Sequence, residues 1–139
     1  MYSFYENARN ILTVLSAAAQ IAAVSEIFSR MGKVMVVEER LMGAGTALAS
    51  CGIAYVMRYV RAATEGGVEL GMYARDAQRI VEQTLQGAVA LLRANQSHPE
   101  QEIDKVTTPG GITIRGLNAM EQAGFTNSVI QGLKASKTK

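Results

Sequence analysis

The residues of this 139-residue chain best suited to chemistry lie in the stretch VTTPGGIT, residues 106–113. Pro109, Gly110 and Gly111 make a turn, and Thr113 stands where a helix can begin. Glycine has no Cβ, so backbone N–H groups there can point outward unobstructed. The first N–H groups of a helix lack internal partners, and the helix dipole adds positive potential. Such a place takes a carboxylate or a phosphate. The hydroxyls of Thr108 and Thr113 can donate or accept further hydrogen bonds. A plain turn followed by a helix N-cap would use the same residues, and spacing alone leaves both readings open.

A second small-residue stretch, ASCGIAY at 49–55, puts Ser50, Cys51 and Gly52 just before a helix start. It reads either as another loop of close approach or as an ordinary helix–helix link. Cys51 has no evident basic neighbour to make it a thiolate nucleophile. His98 is most simply a helix-capping or surface residue. One cysteine and one histidine, far apart, do not make a zinc site, and no metal is expected. The patterns G-x-G-x-x-G after a strand, G-x-x-x-x-G-K-[ST] and H-E-x-x-H are absent. Gly43-x-Gly45 lacks the third glycine.

Composition narrows the frame. Hydrophobic residues make up 48% of the chain, enough for a core. Aromatics are only 6%, Trp is absent and Ala and Gly are abundant, a mix that favours closely packed helices. The net charge of +2, with scattered Lys and Arg, argues against nucleic acid as a partner. The basic tail GLKASKTK reads as a solvated end. A single cysteine points to a reducing compartment. The start MYSFYENARN lacks the basic region of a secretory leader. The apolar run at 11–24 is too short to span a membrane and fits a buried helix better. A soluble cytoplasmic protein is expected.

Periodicity places the elements. Residues 1–18 carry no secure assignment. Ile21, Val24, Ile27 and Phe28 predict a helix over 19–30, stopped at Gly32. The β-branched run at 34–37 predicts one short strand, which needs a partner elsewhere or in another chain. Helix is expected over 41–50 and 54–71, with Gly66–Gly67 marking either a close helix contact or a kink. Over residues 72–95, Ala77, Ile80, Val81, Thr84, Leu85, Ala88, Leu91 and Leu92 define the clearest amphipathic helix. Ser97 and Glu100 form a capping-box pattern ahead of a short helix at 99–105, with Pro99 in its first turn. A last helix is expected over 126–135, and Ala/Gly surfaces suggest burial against a second copy.

Pro109, Gly110, Gly111, Thr113, Ala119, Met120, Glu121, Gly124 and Phe125, taken together, resemble the signature of pyrroline-5-carboxylate reductases. TALASCGIAYVMRYVRAATEGGVELGM resembles that family's first dimerisation helices, and GKVMVVEERLM the junction leading into them. The likeness runs over roughly residues 20–135 and has specific consequences. It implies a mainly α fold, a helical dimerisation domain of the pyrroline-5-carboxylate reductase / 6-phosphogluconate dehydrogenase C-terminal-like type. Residues 1–38 would hold an N-terminal arm and a helix–strand remnant of a Rossmann domain, and 39–139 the dimerisation and substrate-binding domain. It implies NAD(P)H-dependent reduction of 1-pyrroline-5-carboxylate to L-proline, in a homodimer that commonly assembles further into decamers.

By similarity, Thr108, Gly110, Gly111 and Ile112 would hold the substrate carboxylate, Thr113 would hydrogen-bond the imine nitrogen as the catalytic contact, and Val106 would pack nearby. Ser50, Cys51 and Gly52 would lie near the nicotinamide of NADPH or NADH, whose main binding domain is absent from the sequence. Little turnover is therefore expected of the isolated chain. The family pattern S-G-x-G-P-A-Y is altered here to Ala49-Ser50-Cys51-Gly52-Ile53-Ala54-Tyr55, which bears on how the cofactor is positioned. A non-catalytic dimerisation module and a diverged sensor of proline-like acids are the alternatives.

Overall fold

The structure, a computed structural model, describes residues 11–12 and 18–137. Residues 1–10 and 13–17, with Thr138 and Lys139, lie outside the described residues. The chain divides into two compact units, Met1–Val56 with Val129–Lys139, and Met57–Ser128. Among the described residues the architecture is mainly α, with one two-stranded sheet.

The first unit begins with β1 (Ile11–Leu12), α1 (Ala18–Ser29) and β2 (Val34–Met35). The strands pair in parallel, Ile11 opposite Val34 and Leu12 opposite Met35. Parallel strands need a crossover, and α1 supplies it, so the segment is one β-α-β unit. The strand expected at 34–37 thus pairs only at Val34–Met35, and its partner lies in the same chain. The apolar run at 11–24 is not a single buried helix: its first two residues are strand, because short apolar runs satisfy either periodicity and strand pairing decides. Ile21, Val24 and Phe28 of α1 are half-buried, and Ile27 is exposed.

A 3₁₀ turn (Glu39–Leu41), α2 (Met42–Thr46) and a π-helical turn (Ala47–Cys51) lead without a break into α3 (Gly52–Glu69). Tyr55 on α3 donates to the Gly132 carbonyl at 3.0 Å and hydrogen-bonds the Ser136 hydroxyl. A Cβ at Gly132 would stand 3.7 Å from the Tyr55 ring. The tail expected as a solvated end is therefore helical through Ala135, in α7 (Phe125–Ala135), and held at Ser136.

The second unit carries the rest of α3, then α4 (Ala74–Asn95), α5 (Pro99–Lys105), α6 (Ile112–Gln122) and the start of α7. α3 runs unbroken through Gly66 and Gly67. Gly67 admits α4: a Cβ there would meet the Ala77 Cβ at 2.8 Å. The turn between the helices closes with Met72 N–H donating to the Gly67 carbonyl at 3.0 Å. Ala77 and, in the first unit, Ala47 are the buried hydrophobic residues among those described. No helix among the described residues is long and apolar enough to cross a membrane.

The cap of α5 falls one residue later than the sequence pattern suggests. His98 is the N-cap, its Nδ1 accepting from the Glu100 N–H at 3.3 Å, while Gln101 Oε1 accepts from the His98 N–H at 3.1 Å. Ser97 and Asn95 donate instead to Glu102, which also accepts from Lys105 Nζ at 2.8 Å. The half-buried Glu102 carboxylate so ties the end of α4, the connecting turn and α5. Lys105 first, then Ser97 and Asn95, hold its pKa down from 4.5 to about 2.

Both the Glu102 clasp and the Gly67 contact can be tested by unfolding. A depressed carboxylate stabilises the fold above its unfolded pKa and loses that effect as pH falls through its folded pKa. The stability difference between the native chain and Glu102→Gln, measured by urea unfolding, should shrink as pH drops from 4.5 to about 2. A constant difference across that window would contradict the clasp. Gly67→Ala should lower stability by about 1 to 2 kcal/mol at fixed protein concentration, because overpacking against Ala77 outweighs the gain of about 1 kcal/mol in helix propensity. An unchanged urea midpoint would show that α3 and α4 can part freely.

Candidate substrate site at the start of α6

The loop between α5 and α6 is built by a tight turn. The Gly111 N–H donates to the Thr108 carbonyl at 2.9 Å, closing four residues with Pro109 second and Gly110 third. Gly110 has φ +70°, as the third position of a type II turn demands, and that conformation is why glycine stands there. Gly111 is glycine for another reason. A Cβ on it would lie 2.6 Å from Thr108 Oγ1 and 3.0 Å from the Thr108 carbonyl oxygen.

Gly111 is also the N-cap of α6, extended at φ −67°, ψ 169°, and no side chain caps the helix. Its own N–H is engaged inside the turn, so the N–H groups offered at the helix start begin with Ile112 and Thr113. Ile112 is 80% exposed and Val106 61%, and Thr108 and Thr113 are exposed as well. Neither Thr108 nor Thr113 spends its hydroxyl on another described residue, whereas the Thr107 hydroxyl turns back to the Ile103 carbonyl. The expected substrate residues Val106, Thr108, Gly110, Gly111, Ile112 and Thr113 therefore form one exposed loop and helix start.

One further residue at this site, not singled out by the spacing of the loop, is Arg115. Its Nε reaches back to the Gly111 carbonyl at 3.4 Å and sets a guanidinium beside the first turn. The signal available in sequence was its place four residues after the N-cap. Behind the loop, between α5 and α6, lies a groove of about 450 Å³. Glu100, Asp104 and Glu121 line it with no cation, so its charge repels a carboxylate that the helix start and Arg115 attract. Among the described residues no group of three or more His, Cys, Asp or Glu could hold a metal ion.

Residues 39–139 match the family described as pyrroline-5-carboxylate reductase dimerisation. The chain belongs to that family. It is 49% identical to pyrroline-5-carboxylate reductase 1 of Dictyostelium discoideum over 86% of this chain and 22% of that protein. Pyrroline-5-carboxylate reductase 2 of the same organism is 44% identical over 86% of this chain and 40% of its own length. The chain thus spans less than half the length of either relative. A crystal structure of Plasmodium falciparum pyrroline carboxylate reductase with NADP bound superposes with a TM-score of 0.79 at 27% identity. That superposition covers 89% of this chain and 47% of the other.

Ser50, Cys51 and Gly52 lie in the other compact unit. They do not form a loop. Ser50 and Cys51 close the π-helical turn, and Gly52 opens α3 with helical φ −53°, ψ −34°. The expectation of a loop rested on small residues and an assumed helix start. A π turn satisfies the backbone while leaving the helix continuous, and periodicity does not reveal it.

The turn generates a direct test. Gly111→Ala should lower stability by about 1 to 2 kcal/mol in urea unfolding, because the Thr108 carbonyl, fixed by the turn, must give way. A neutral result would mean the turn is not closed by that contact.

Proposed function

We propose that this chain is the dimerising and substrate-binding part of an enzyme that reduces 1-pyrroline-5-carboxylate to L-proline. Residues 39–139 form that part, and the parallel β-α-β unit supports reading residues 1–38 as the end of a nucleotide-binding domain. The observation that carries the reading is the uncapped start of α6, offered by a turn whose two glycines hold the chain in place.

A substrate carboxylate would accept from the Ile112 and Thr113 N–H groups, with Arg115 adding positive potential. Thr108 would offer its hydroxyl at the same edge. The Thr113 hydroxyl would donate to the ring nitrogen and hold the C=N bond in place. NADPH or NADH supplies the hydride for the carbon. By the family resemblance, Ser50, Cys51 and Gly52 would lie near its nicotinamide. The chain's own task would be orientation and charge complementarity, and the proton that the ring nitrogen gains as the carbon takes the hydride would come from water. The proposal includes a homodimer, able to assemble into a decamer, and a cytoplasmic location.

One observation favours a second reading. Local geometry alone accounts for Gly110 and Gly111, so the turn does not require a ligand to explain it. A non-catalytic dimerisation module would use it in the same way.

Calorimetric titration with L-proline separates the two. Saturable binding is expected, weakened about five- to tenfold by Thr113→Ala, the loss of one hydrogen bond to a charged ligand. Thr113 is exposed, so the variant should keep its helix content. No saturable binding, or binding indifferent to the substitution, would leave the module reading standing.

A further inference from the structure

The first turn of α6 carries a charge that helix formation does not favour. Arg115 is the fourth residue of the helix, and that turn holds no acidic residue and no side-chain cap. A cation there meets the positive end of the helix dipole, which lowers stability. α4 also has an arginine in its first turn, Arg75, but that one pairs with Asp76 at 3.3 Å. Among the described residues no carboxylate pairs with Arg115. Its hydrogen bond, from Nε to the Gly111 carbonyl, is long at 3.4 Å, and the side chain is exposed. Local stability therefore does not account for an arginine at this place.

Charge has one sign on this side of the loop. Residues 106–115 contain no Asp or Glu. Glu100, Asp104 and Glu121 line the groove behind, between α5 and α6. The helix dipole and Arg115 thus add on the face that offers the Ile112 and Thr113 N–H groups. Such a field acts on the whole ligand and not on its carboxylate alone. The two ends of the proposed reaction differ in that respect. The free imine substrate has an uncharged ring nitrogen beside its carboxylate and is a net anion. In L-proline the same nitrogen is an ammonium, and the molecule is neutral overall. That nitrogen is bonded to the carbon bearing the carboxylate, so its charge falls inside the same field. The Thr113 hydroxyl can also donate to the lone pair of an imine, which an ammonium lacks.

We propose that Arg115 makes this site selective for net charge, favouring the free imine carboxylate over the zwitterionic amino acid that its reduction yields. The inference rests on the substrate site proposed above and makes Arg115 a specificity-determining residue. Its unfavourable place in the helix is offset when an anion is bound, and the product is held less firmly than the substrate.

Calorimetric titration at low ionic strength tests it with two ligands of similar shape. One is L-proline. The other is tetrahydrofuran-2-carboxylate, an anion in which a ring oxygen, an uncharged acceptor, replaces the ammonium. The native chain should bind the anion about three- to tenfold more tightly, as expected for one unit charge near an exposed guanidinium. Arg115→Gln should weaken the anion by about that factor and L-proline by less, so that the two affinities converge. Arg115→Lys should keep them apart. The urea midpoint of Arg115→Gln should match or exceed that of the native chain, since a cation leaves the helix N-terminus. A native chain that binds neither ligand would sink the substrate-site reading, and this inference with it. Equal native affinities, or a difference that survives Arg115→Gln, would overturn the inference alone. A lower urea midpoint with equal weakening of both ligands would make Arg115 a structural residue and overturn it as well.

Discussion

The helices of this chain carry apolar faces that their own neighbours do not cover, and much of the molecule's design turns on that constraint. Ala47 and Ala77 are the buried hydrophobic residues among those described, while Ile27, Leu48, Val56, Met57, Ile80 and Leu91 stand in the open. Burial of apolar surface is the main favourable term in folding. A chain that leaves so much of it exposed leans on a second surface for stability. Membership of a dimerisation family meets that physical need.

Within each unit the helices are joined by a few close contacts. Gly67 against Ala77 brings α3 to α4 at their turn, and the Glu102 carboxylate binds the end of α4 to α5 through Asn95, Ser97 and Lys105. In the first unit Tyr55 bonds the Gly132 carbonyl and Ser136, fixing the end of α7 on the start of α3. Each of these replaces a broad core by a contact at one point. Long helix faces stay free as a result, which suits a fold that is completed by another chain.

The start of α6 shows how one short stretch can serve two ends. Gly110 provides the positive φ, and Gly111 gives the space that Thr108 occupies. Together they set an uncapped helix end at the surface, with the Thr108 and Thr113 hydroxyls and Arg115 beside it. The closed turn fixes these N–H donors, and an anion bound there would need little further ordering of the chain.

Much of this was legible in the residues themselves. Helical periodicity marked α1, α4, α5 and α7 to within about two residues at each end, since amphipathic spacing and Pro or Gly at the ends are local signals. The Pro109-Gly110-Gly111 turn and its helix start were visible for the same reason, and so was the likeness to a reductase family. What the residues alone did not reveal depends on neighbours distant in sequence. Ile11–Leu12 became strand only because β2 pairs with it. Ser97 left the cap to His98 because Glu102 claimed its hydroxyl. At Gly67 the close contact is with Ala77. The reason for the second glycine, Gly111, lay in the path of Thr108, which no spacing rule contains. Local pattern determines which elements form, because hydrogen bonding along the backbone repeats at fixed intervals. Which atoms then share a point in space is decided only once those elements pack.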